Sequence, residues 1–385
     1  MPNGADGLRA VDVLGGAVRT AGIVELEATE AGIVLHRMPA WARVQHNDIA
    51  LPLLETMPSG GRLEMVTDVT TLELDVQLTL LQLGPEPGPP AVFDLVVDGG
   101  LAGAESTRTG TLIVVDRATG AADFQIGGPV TVRFEGLPAG DKRVEVWLPH
   151  AAAVHLIEVR ADGVVRPPPD RARRWVHYGS SISHCLEAER PTGVWPVVAA
   201  RLGGVDLQSF AFAGQCQLDP FVARMIGQQP ADLISIKLGI NLVNADSMRE
   251  RTFVPAVHGF LDQVRDRHPD VPVIVVTPIT CPVAEDHPGP TGVDEHGRCS
   301  VTDRPAALVL GALTLRRVRE LEADIVASRQ AAGDHHLHLL QGPDLLGPDE
   351  VSDLPDGLHP NPAGYERMGV RFHALAFQGD GPFAQ

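Results

Sequence analysis

The chain has 385 residues, which exceeds the size of most single hydrophobic cores and favours two domains of ordinary size. Its composition, 44% hydrophobic and 21% charged, is typical of a globular protein, and no apolar run is long enough to cross a bilayer, which argues against membrane insertion. A formal net charge of -18 argues against binding to nucleic-acid phosphates and favours small-molecule partners.

The N-terminal segment, residues 1–7, lacks the basic start and apolar core of a secretory signal, so we expect a cytoplasmic location. Four cysteines are too few for a disulfide scaffold in a chain of this length, and none has the Cys-x-x-Cys spacing of a zinc site. Reduced thiols are expected, with a pairing of Cys281 and Cys299 in an oxidising setting as the alternative. We expect Cys185 and Cys216, which follow candidate site motifs, to be small buried hydrophobes.

The first part of the chain, residues 1–166, shows the period-two alternation of half-buried strands. The apolar residues of its clearest run are Leu72, Leu74, Val76, Leu78 and Leu80, with polar residues between them. Further strand-like runs, separated by Gly, Pro and Asp turn signals, lie at residues 32–37, 62–67, 93–97, 111–115, 130–134 and 143–148. Short strands without a convincing helix predict an all-β sandwich, jelly-roll-like, which is either a ligand-binding module or an appendage that shapes the catalytic cleft.

A linker is predicted at residues 160–170, where Pro167, Pro168 and Pro169 preclude a helix. Beyond it, residues 171–385 alternate short apolar strands with longer helices. The predicted strands are at 175–178, 208–213, 233–238, 273–277 and 336–340, and the helices at 194–202, 219–226, 248–267, 306–331 and 362–376. This pattern predicts a three-layer α/β/α domain whose parallel sheet binds ligands at the carboxyl ends of its strands.

The candidate site residues all follow a predicted strand or precede a predicted helix. Ser181 lies in a serine cluster directly after a buried strand, where acyl-transfer enzymes hold a nucleophile, and a serine hydroxyl needs a base to become reactive. His359 is the candidate base, and Asp356, three residues earlier, can fold onto its imidazole. Asn361 and Pro362 suit the start of a helix, so His359 should lie just outside it. An isolated Asp-x-x-His would be a surface turn, but the order of motifs favours a site.

These motifs resemble the four sequence blocks of the SGNH (GDSL-like) esterase and acyltransferase superfamily, over residues 170–375. The resemblance makes Ser181 the nucleophile. It also implies an oxyanion hole formed by the backbone N–H groups of Ser181 and Gly214 and the side-chain amide of Asn241. Ser180 stands where the family often has Asp, and Leu242 where it often has a second Asp. The Asn241 amide donor and the Ser181 nucleophile are retained, so these departures affect the local turns rather than the chemistry.

Other patterns favour structural explanations. His335, His336 and His338 have no matched carboxylate and are expected at a solvated strand start, so no metal site is predicted. The helix predicted at 306–331 carries alternating charges that are typical of a solvated face, at Arg316, Arg317, Arg319, Glu320 and Glu322. No glycine-rich stretch has the spacing of a phosphate loop, so no nucleotide cofactor is implied. The long loop at residues 282–302, which has no periodic pattern, is a candidate for shaping the substrate site.

The sequence therefore predicts a serine enzyme that forms an acyl-enzyme on Ser181. The layout of a sandwich followed by this catalytic half resembles SGNH acyltransferases of antibiotic pathways. That resemblance implies transfer of an acyl group, including an aryl group such as salicylyl, to a hydroxyl of a small natural product such as a tetracycline. The donor would be an acyl-CoA or another activated thioester. The alternatives are a carboxylic-ester hydrolase acting on carbohydrate or xenobiotic esters, and a non-enzymatic binding protein, which would be expected to have lost Ser181, Asp356 or His359.

Overall fold

The computed structural model describes residues 7–116, 119–169, 173–294 and 297–384. The chain divides into two compact units. The first comprises Met1–Arg43, Asn47–Arg171 and Glu189–Thr192, and the second comprises Val44–His46, Ala172–Ala188 and Gly193–Gln385. Over the described ranges, no helix combines the length and apolar character needed to cross a membrane.

The first unit is built mainly from β-strands. In chain order these are β1 (Arg9–Ala10), β2 (Arg19–Ala21), β3 (Glu25–Thr29), β4 (Gly32–His36), β5 (Arg62–Thr67), β6 (Thr71–Leu83), β7 (Ala91–Val97), β8 (Gly100–Thr107), β9 (Thr111–Val115), β10 (Ala122–Gln125), β11 (Val130–Glu135), β12 (Lys142–Trp147), β13 (Ala152–Ala161) and β14 (Val165–Arg166). The short helices α1 (Ala40–Arg43) and α2 (Leu51–Glu55) lie between β4 and β5.

These strands form two sheets around one core, which is the predicted β-sandwich. One sheet has the order β10-β9-β6-β13-β4-β3, with β1 on β13 and β11 on β6; the other has the order β14-β5-β12-β7-β8, with β2 on β5. The apolar side chains of β6 are buried as its alternation predicts, and they share a core with Leu63 of β5 and Val144 of β12. The opposite face of β6 is less exposed to solvent than predicted, because Glu73 is buried and forms ion pairs with Arg133 and Arg160.

The predicted linker begins too early. Arg160 and Ala161 end strand β13, which pairs with β6, and Val165–Arg166 forms β14 on the edge of β5. Of the predicted stretch, Pro167, Pro168 and Pro169 are irregular, and Asp170 lies outside the described residues. Strand pairing therefore extends into the segment that composition marks as a spacer.

The second unit alternates strands and helices. Its strands are β15 (Arg174–Gly179), β16 (Asp206–Ala211), β17 (Leu233–Lys237), β18 (Val273–Val276), β19 (Thr291–Val293), β20 (Cys299–Val301) and β21 (Leu337–Leu340). Its helices are α3 (Ser181–His184), α4 (Trp195–Gly203), α5 (Pro220–Gln228), α6 (Ile240–Asn244), α7 (Glu250–Arg265), α8 (Leu315–Ala331) and α9 (Pro362–Phe377).

A parallel sheet of order β16-β15-β17-β18-β21 forms the centre of this unit. Strand β15 contacts helices on both faces of the sheet. The ring of Trp175 stacks on Phe372 of α9, with 5.1 Å between the ring centroids, and Tyr178 stacks on Phe260 of α7, with 5.4 Å between them. The unit is therefore the predicted three-layer α/β/α domain. The strand order reverses between β15 and β17, and ligands of such sheets bind at this switch point, beyond the carboxyl ends of the strands.

Candidate active site

Ser181 lies at the switch point, as the first residue of α3, directly after β15. Ser180 caps this short helix, because its Oγ accepts a hydrogen bond from the Ile182 N–H. Only glycine fits at position 179, where a Cβ atom would lie 2.4 Å from Ser183 Oγ. Ser181 is 8% exposed. The chain thus leaves the strand in a tight turn that fixes the Ser181 hydroxyl at the sheet edge.

His359 and Asp356 share one turn ahead of α9. The Oδ1 atom of Asp356 accepts hydrogen bonds from the backbone N–H groups of His359 at 2.7 Å and Leu358 at 2.9 Å, which folds the carboxylate back over the turn. Asn361 caps α9 as predicted, since its Oδ1 accepts from the Gly364 N–H, and Pro362 is the first helical residue. The helix cap therefore fixes where His359 leaves the turn.

The structure joins Ser181, His359 and Asp356 in a hydrogen-bonded chain. His359 Nε2 is 2.9 Å from Ser181 Oγ, and His359 Nδ1 is 2.7 Å from Asp356 Oδ2. Burial alone would raise the pKa of the Asp356 carboxyl, but the hydrogen bond and charge of His359 outweigh it and hold that pKa below its ordinary value. An ionised carboxylate on one ring nitrogen and a hydroxyl on the other is an arrangement that can deprotonate the hydroxyl.

Gly214 lies on the loop that follows β16, and Asn241 lies in α6, the short helix after β17; these two strands are the neighbours of β15. The Oδ1 atom of Asn241 accepts a hydrogen bond from the Cys216 N–H at 3.0 Å, which leaves its NH₂ group to serve as a donor. Gly214 has a φ of 74°, in the left-handed region. As the first helical residue of α3, Ser181 has a backbone N–H with no carbonyl of its own helix to bind. The three predicted oxyanion donors therefore follow three adjacent parallel strands at the same edge of the sheet.

Gln217 connects the segments of Gly214 and Asn241, and it was not identified from the sequence. Its Nε2 atom donates toward the carbonyl oxygens of Gly214 at 3.4 Å and Asn241 at 3.3 Å, and its Oε1 accepts from Ser247 Oγ at 2.7 Å. A glutamine in a loop carries no sequence signal for such a role. It ties the two candidate oxyanion segments to each other.

The long loop at 282–302 contains a hairpin that the sequence pattern did not reveal. Strands β19 and β20 pair within it, and the Cys299 N–H donates to the Asp356 backbone oxygen at 2.8 Å. Just beyond it, Arg304 forms an ion pair with Asp246, which follows helix α6. The loop is therefore anchored to the turn of Asp356 and His359 and to the segment after Asn241. Glu295 and His296 lie outside the described residues.

A buried pair of ionisable groups departs from the sequence prediction. Glu322 of α8 was assigned to a solvated face, but it is fully buried, and burial raises its pKa to about 8 against the opposing charge of Lys237. Lys237, at the end of β17, is also buried, and its pKa is lowered by burial. Neither charged group has a hydrogen-bond partner among the described residues. The solvated-face prediction is wrong for Glu322.

Three histidines and four cysteines remain from the sequence analysis. His335 and His336 are exposed just before β21, as expected, whereas His338 lies within that strand and is half-buried. Within the described parts of the chain no cluster of His, Cys, Asp or Glu is placed to hold a metal ion. Cys185, Cys216 and Cys281 are buried free thiols, and Cys299 is a half-buried one, so Cys281 and Cys299 do not pair. The Cys281 thiol donates to the Leu358 carbonyl at 3.6 Å and packs beneath the turn of His359.

Comparisons with known structures extend over nearly the whole chain. The salicylyl-acyltransferase SsfX3 from a tetracycline biosynthetic pathway is 28% identical, with a TM-score of 0.78 and coverage of 96% of each chain. A protein from Bacteroides ovatus ATCC 8483 described as a GDSL-like lipase is 19% identical, with a TM-score of 0.63 and coverage of 92% of this chain and 95% of the other. A family two carbohydrate esterase from Clostridium thermocellum is 16% identical, with a TM-score of 0.55 and coverage of 82% of this chain and 91% of the other.

The likenesses under 25% identity show a shared fold. Comparison with curated proteins gives no match. Residues 177–367, which include Ser181, Gly214, Asn241, Asp356 and His359, match the model of the GDSL-like lipase/acylhydrolase family. The fold, the order of the motifs and this match agree: residues 177–367 form a GDSL-like lipase/acylhydrolase domain, and the protein is an SGNH-type enzyme.

Proposed function

We propose that the protein is a serine acyltransferase that forms an acyl-enzyme on Ser181. The observation that carries this proposal is the 2.9 Å contact of His359 Nε2 with Ser181 Oγ, backed by Asp356 at 2.7 Å. Ser181 Oγ attacks the acyl carbonyl while its proton passes to His359 Nε2. The carbonyl re-forms as the leaving group departs with that proton, which leaves the acyl group as an ester on Ser181.

In the second half-reaction the acceptor replaces the leaving group. Its hydroxyl gives its proton to His359, its oxygen attacks the ester carbonyl, and Ser181 takes the proton back as the product leaves. In each half the negative charge on the carbonyl oxygen needs donors already in place. The backbone N–H groups of Ser181 and Gly214 and the amide of Asn241 are assigned this role.

We further propose that the natural acceptor is a hydroxyl of a small molecule rather than water. The support is the likeness to SsfX3, which extends over 96% of both chains at 28% identity, above the identity to the carbohydrate esterases compared. A pocket that orients an alcohol gains a large entropic advantage over water, and the loop at 282–302 adjoins the Asp356 turn where such a pocket would lie. The acyl donor would be an acyl-CoA or another activated thioester, an aryl group such as salicylyl included, with no further cofactor.

The partition of the acyl group tests this proposal. The protein is given an acyl thioester with candidate polyketide and sugar alcohols, and transferred and hydrolysed acyl groups are quantified, with Ser181→Ala as the control. We expect transfer to at least one acceptor to exceed hydrolysis, and neither reaction in Ser181→Ala.

A carboxylic-ester hydrolase is the second candidate, since carbohydrate esterases share the fold. Hydrolysis that is fast and indifferent to every acceptor, with good turnover of acetylated sugars, would favour this alternative. The same Ser181 acyl-enzyme serves both outcomes, so only the fate of the acyl group separates them.

A further inference from the structure

A second carboxylate approaches the imidazole of His359. Glu187 follows helix α3, and its Oε1 atom lies 3.8 Å from His359 Nδ1, the nitrogen that binds Asp356 at 2.7 Å. This distance is within ion-pair range but about 0.6 Å beyond the upper limit of an N–H···O hydrogen bond. Glu187 belongs to none of the sequence motifs, and it is neither a member of the Ser181–His359–Asp356 chain nor a candidate oxyanion donor.

Tyr365 holds Glu187 in this position. The Tyr365 hydroxyl donates a hydrogen bond of 2.8 Å to Glu187 Oε2. Tyr365 lies in the first turns of α9 and is fully buried. Burial, followed by the negative charge of Glu187, raises the pKa of Tyr365 well above its ordinary value, so the hydroxyl keeps its proton and remains a donor at neutral pH. Although 38% of the Glu187 side chain is exposed, it is therefore fixed at one end.

We propose that Glu187 is a positioning residue that acts through His359 as a second electrostatic partner. Together with Asp356 it stabilises the imidazolium that forms each time His359 takes a proton. The inference rests on the acyl-enzyme chemistry proposed above. Asp356 makes the hydrogen bond that fixes the ring tautomer, and Glu187 adds negative charge on the same side of a ring whose side chain is only 19% exposed.

The substitution Glu187→Gln tests this role, because it removes the charge and keeps an oxygen that can accept from Tyr365. With an activated aryl acetate such as p-nitrophenyl acetate, we expect a loss of about 3- to 10-fold, mainly in kcat. We also expect the acid limb of the kcat/KM profile to move to lower pH, since a protonated ring is less favoured without the second charge. A purely structural role would not move that limb.

Two further variants sharpen the test. Glu189→Gln removes the same charge from an exposed position two residues away and should leave both kcat and the pH profile unchanged. Tyr365→Phe releases Glu187 and should shift the profile in the same direction by less. Thermal unfolding of each variant checks its folding. If Tyr365→Phe does not fold, the result with Glu187→Gln alone tests the proposal.

A Glu187→Gln protein with the wild-type kcat and the wild-type acid limb overturns this inference while the proposed function stands. Matching changes in Glu189→Gln would also overturn it, because the effect would then be one of general surface charge. Full activity of Ser181→Ala would instead overturn the proposed function itself.

Discussion

His359 Nε2 lies 2.9 Å from Ser181 Oγ although 178 residues separate the two along the chain. Aromatic packing between their supporting elements brings them together. Phe372 of α9, the helix that begins just after His359, packs against Trp195 of α4 and stacks on Trp175 of β15, the strand that ends just before Ser181. The contact therefore depends on the assembled sheet and helices rather than on local sequence.

Ser181→Ala and His359→Ala should each abolish turnover of an activated aryl ester. The double variant should be no worse than either single one, because nucleophile and base act as one unit whose losses are not additive. Steady-state rates with circular dichroism as a folding check measure this. Substantial turnover in a folded Ser181→Ala protein would show that another group is the nucleophile.

Asp356→Asn should lower kcat by about 100- to 10,000-fold. An asparagine Oδ1 can still accept from the N–H groups of Leu358 and His359, so the turn is retained, but the amide NH₂ faces His359 Nδ1 and favours the wrong tautomer. The comparison of kcat with unfolding temperature separates the two effects. A well-folded variant with near-wild-type kcat would exclude Asp356 as the partner of His359.

Asn241→Ala should lower kcat on the order of 100-fold with a small change in KM, because its amide is assigned to the charge that develops in the transition state. Asn241 Oδ1 also accepts from the Cys216 N–H, so part of any loss can come from loop movement. Asn241→Asp, which keeps that acceptor and removes the NH₂ donor, is the matched variant and should be impaired at least as much. Wild-type kcat in Asn241→Asp would argue against the oxyanion role.

Glu322→Gln should flatten the dependence of stability on pH. A glutamate in the unfolded chain releases its proton near its ordinary pKa of 4.5, whereas burial raises the pKa of folded Glu322 to about 8. Between these values the folded state binds more protons, so stability falls as pH rises, by up to about 3 kcal/mol between pH 5 and 8. The charge of Glu322 also raises the pKa of Lys237, so the comparison of the two proteins reports the coupled pair rather than Glu322 alone. Equal pH slopes in urea unfolding would contradict this.

The period of the apolar residues predicted much of the fold. Alternation at Leu72 to Leu80 placed one face of β6 in the sandwich core, and the near-continuous apolar run at 233–238 placed β17 inside a parallel sheet. The motif order then indicated one sheet edge, because carboxyl ends of parallel strands meet there. These inferences depend only on local patterns.

Features set by long-range pairing were missed. Strand β13 begins with alanines, which favour strands weakly, and its end was assigned to the linker, although pairing with β6 and β4 makes it a central strand. Helix α8 was predicted from residue 306, but it begins at Leu315 after Thr314, whose side chain caps it. Glu322 could have been found, since it is four residues after the buried Val318 and three before the buried Ile325. For Glu187, no sequence pattern signals the contact with His359.

The assignment of Ser181 as the nucleophile is tested by mass spectrometry of the protein after reaction with a fluorophosphonate, because such a probe bonds covalently to a serine oxygen activated by a base. We expect a stoichiometric adduct on Ser181, rather than on the nearby Ser180 or Ser183, and no adduct in His359→Ala. Absence of labelling at Ser181 in the folded wild-type protein, or equal labelling without His359, would contradict this assignment.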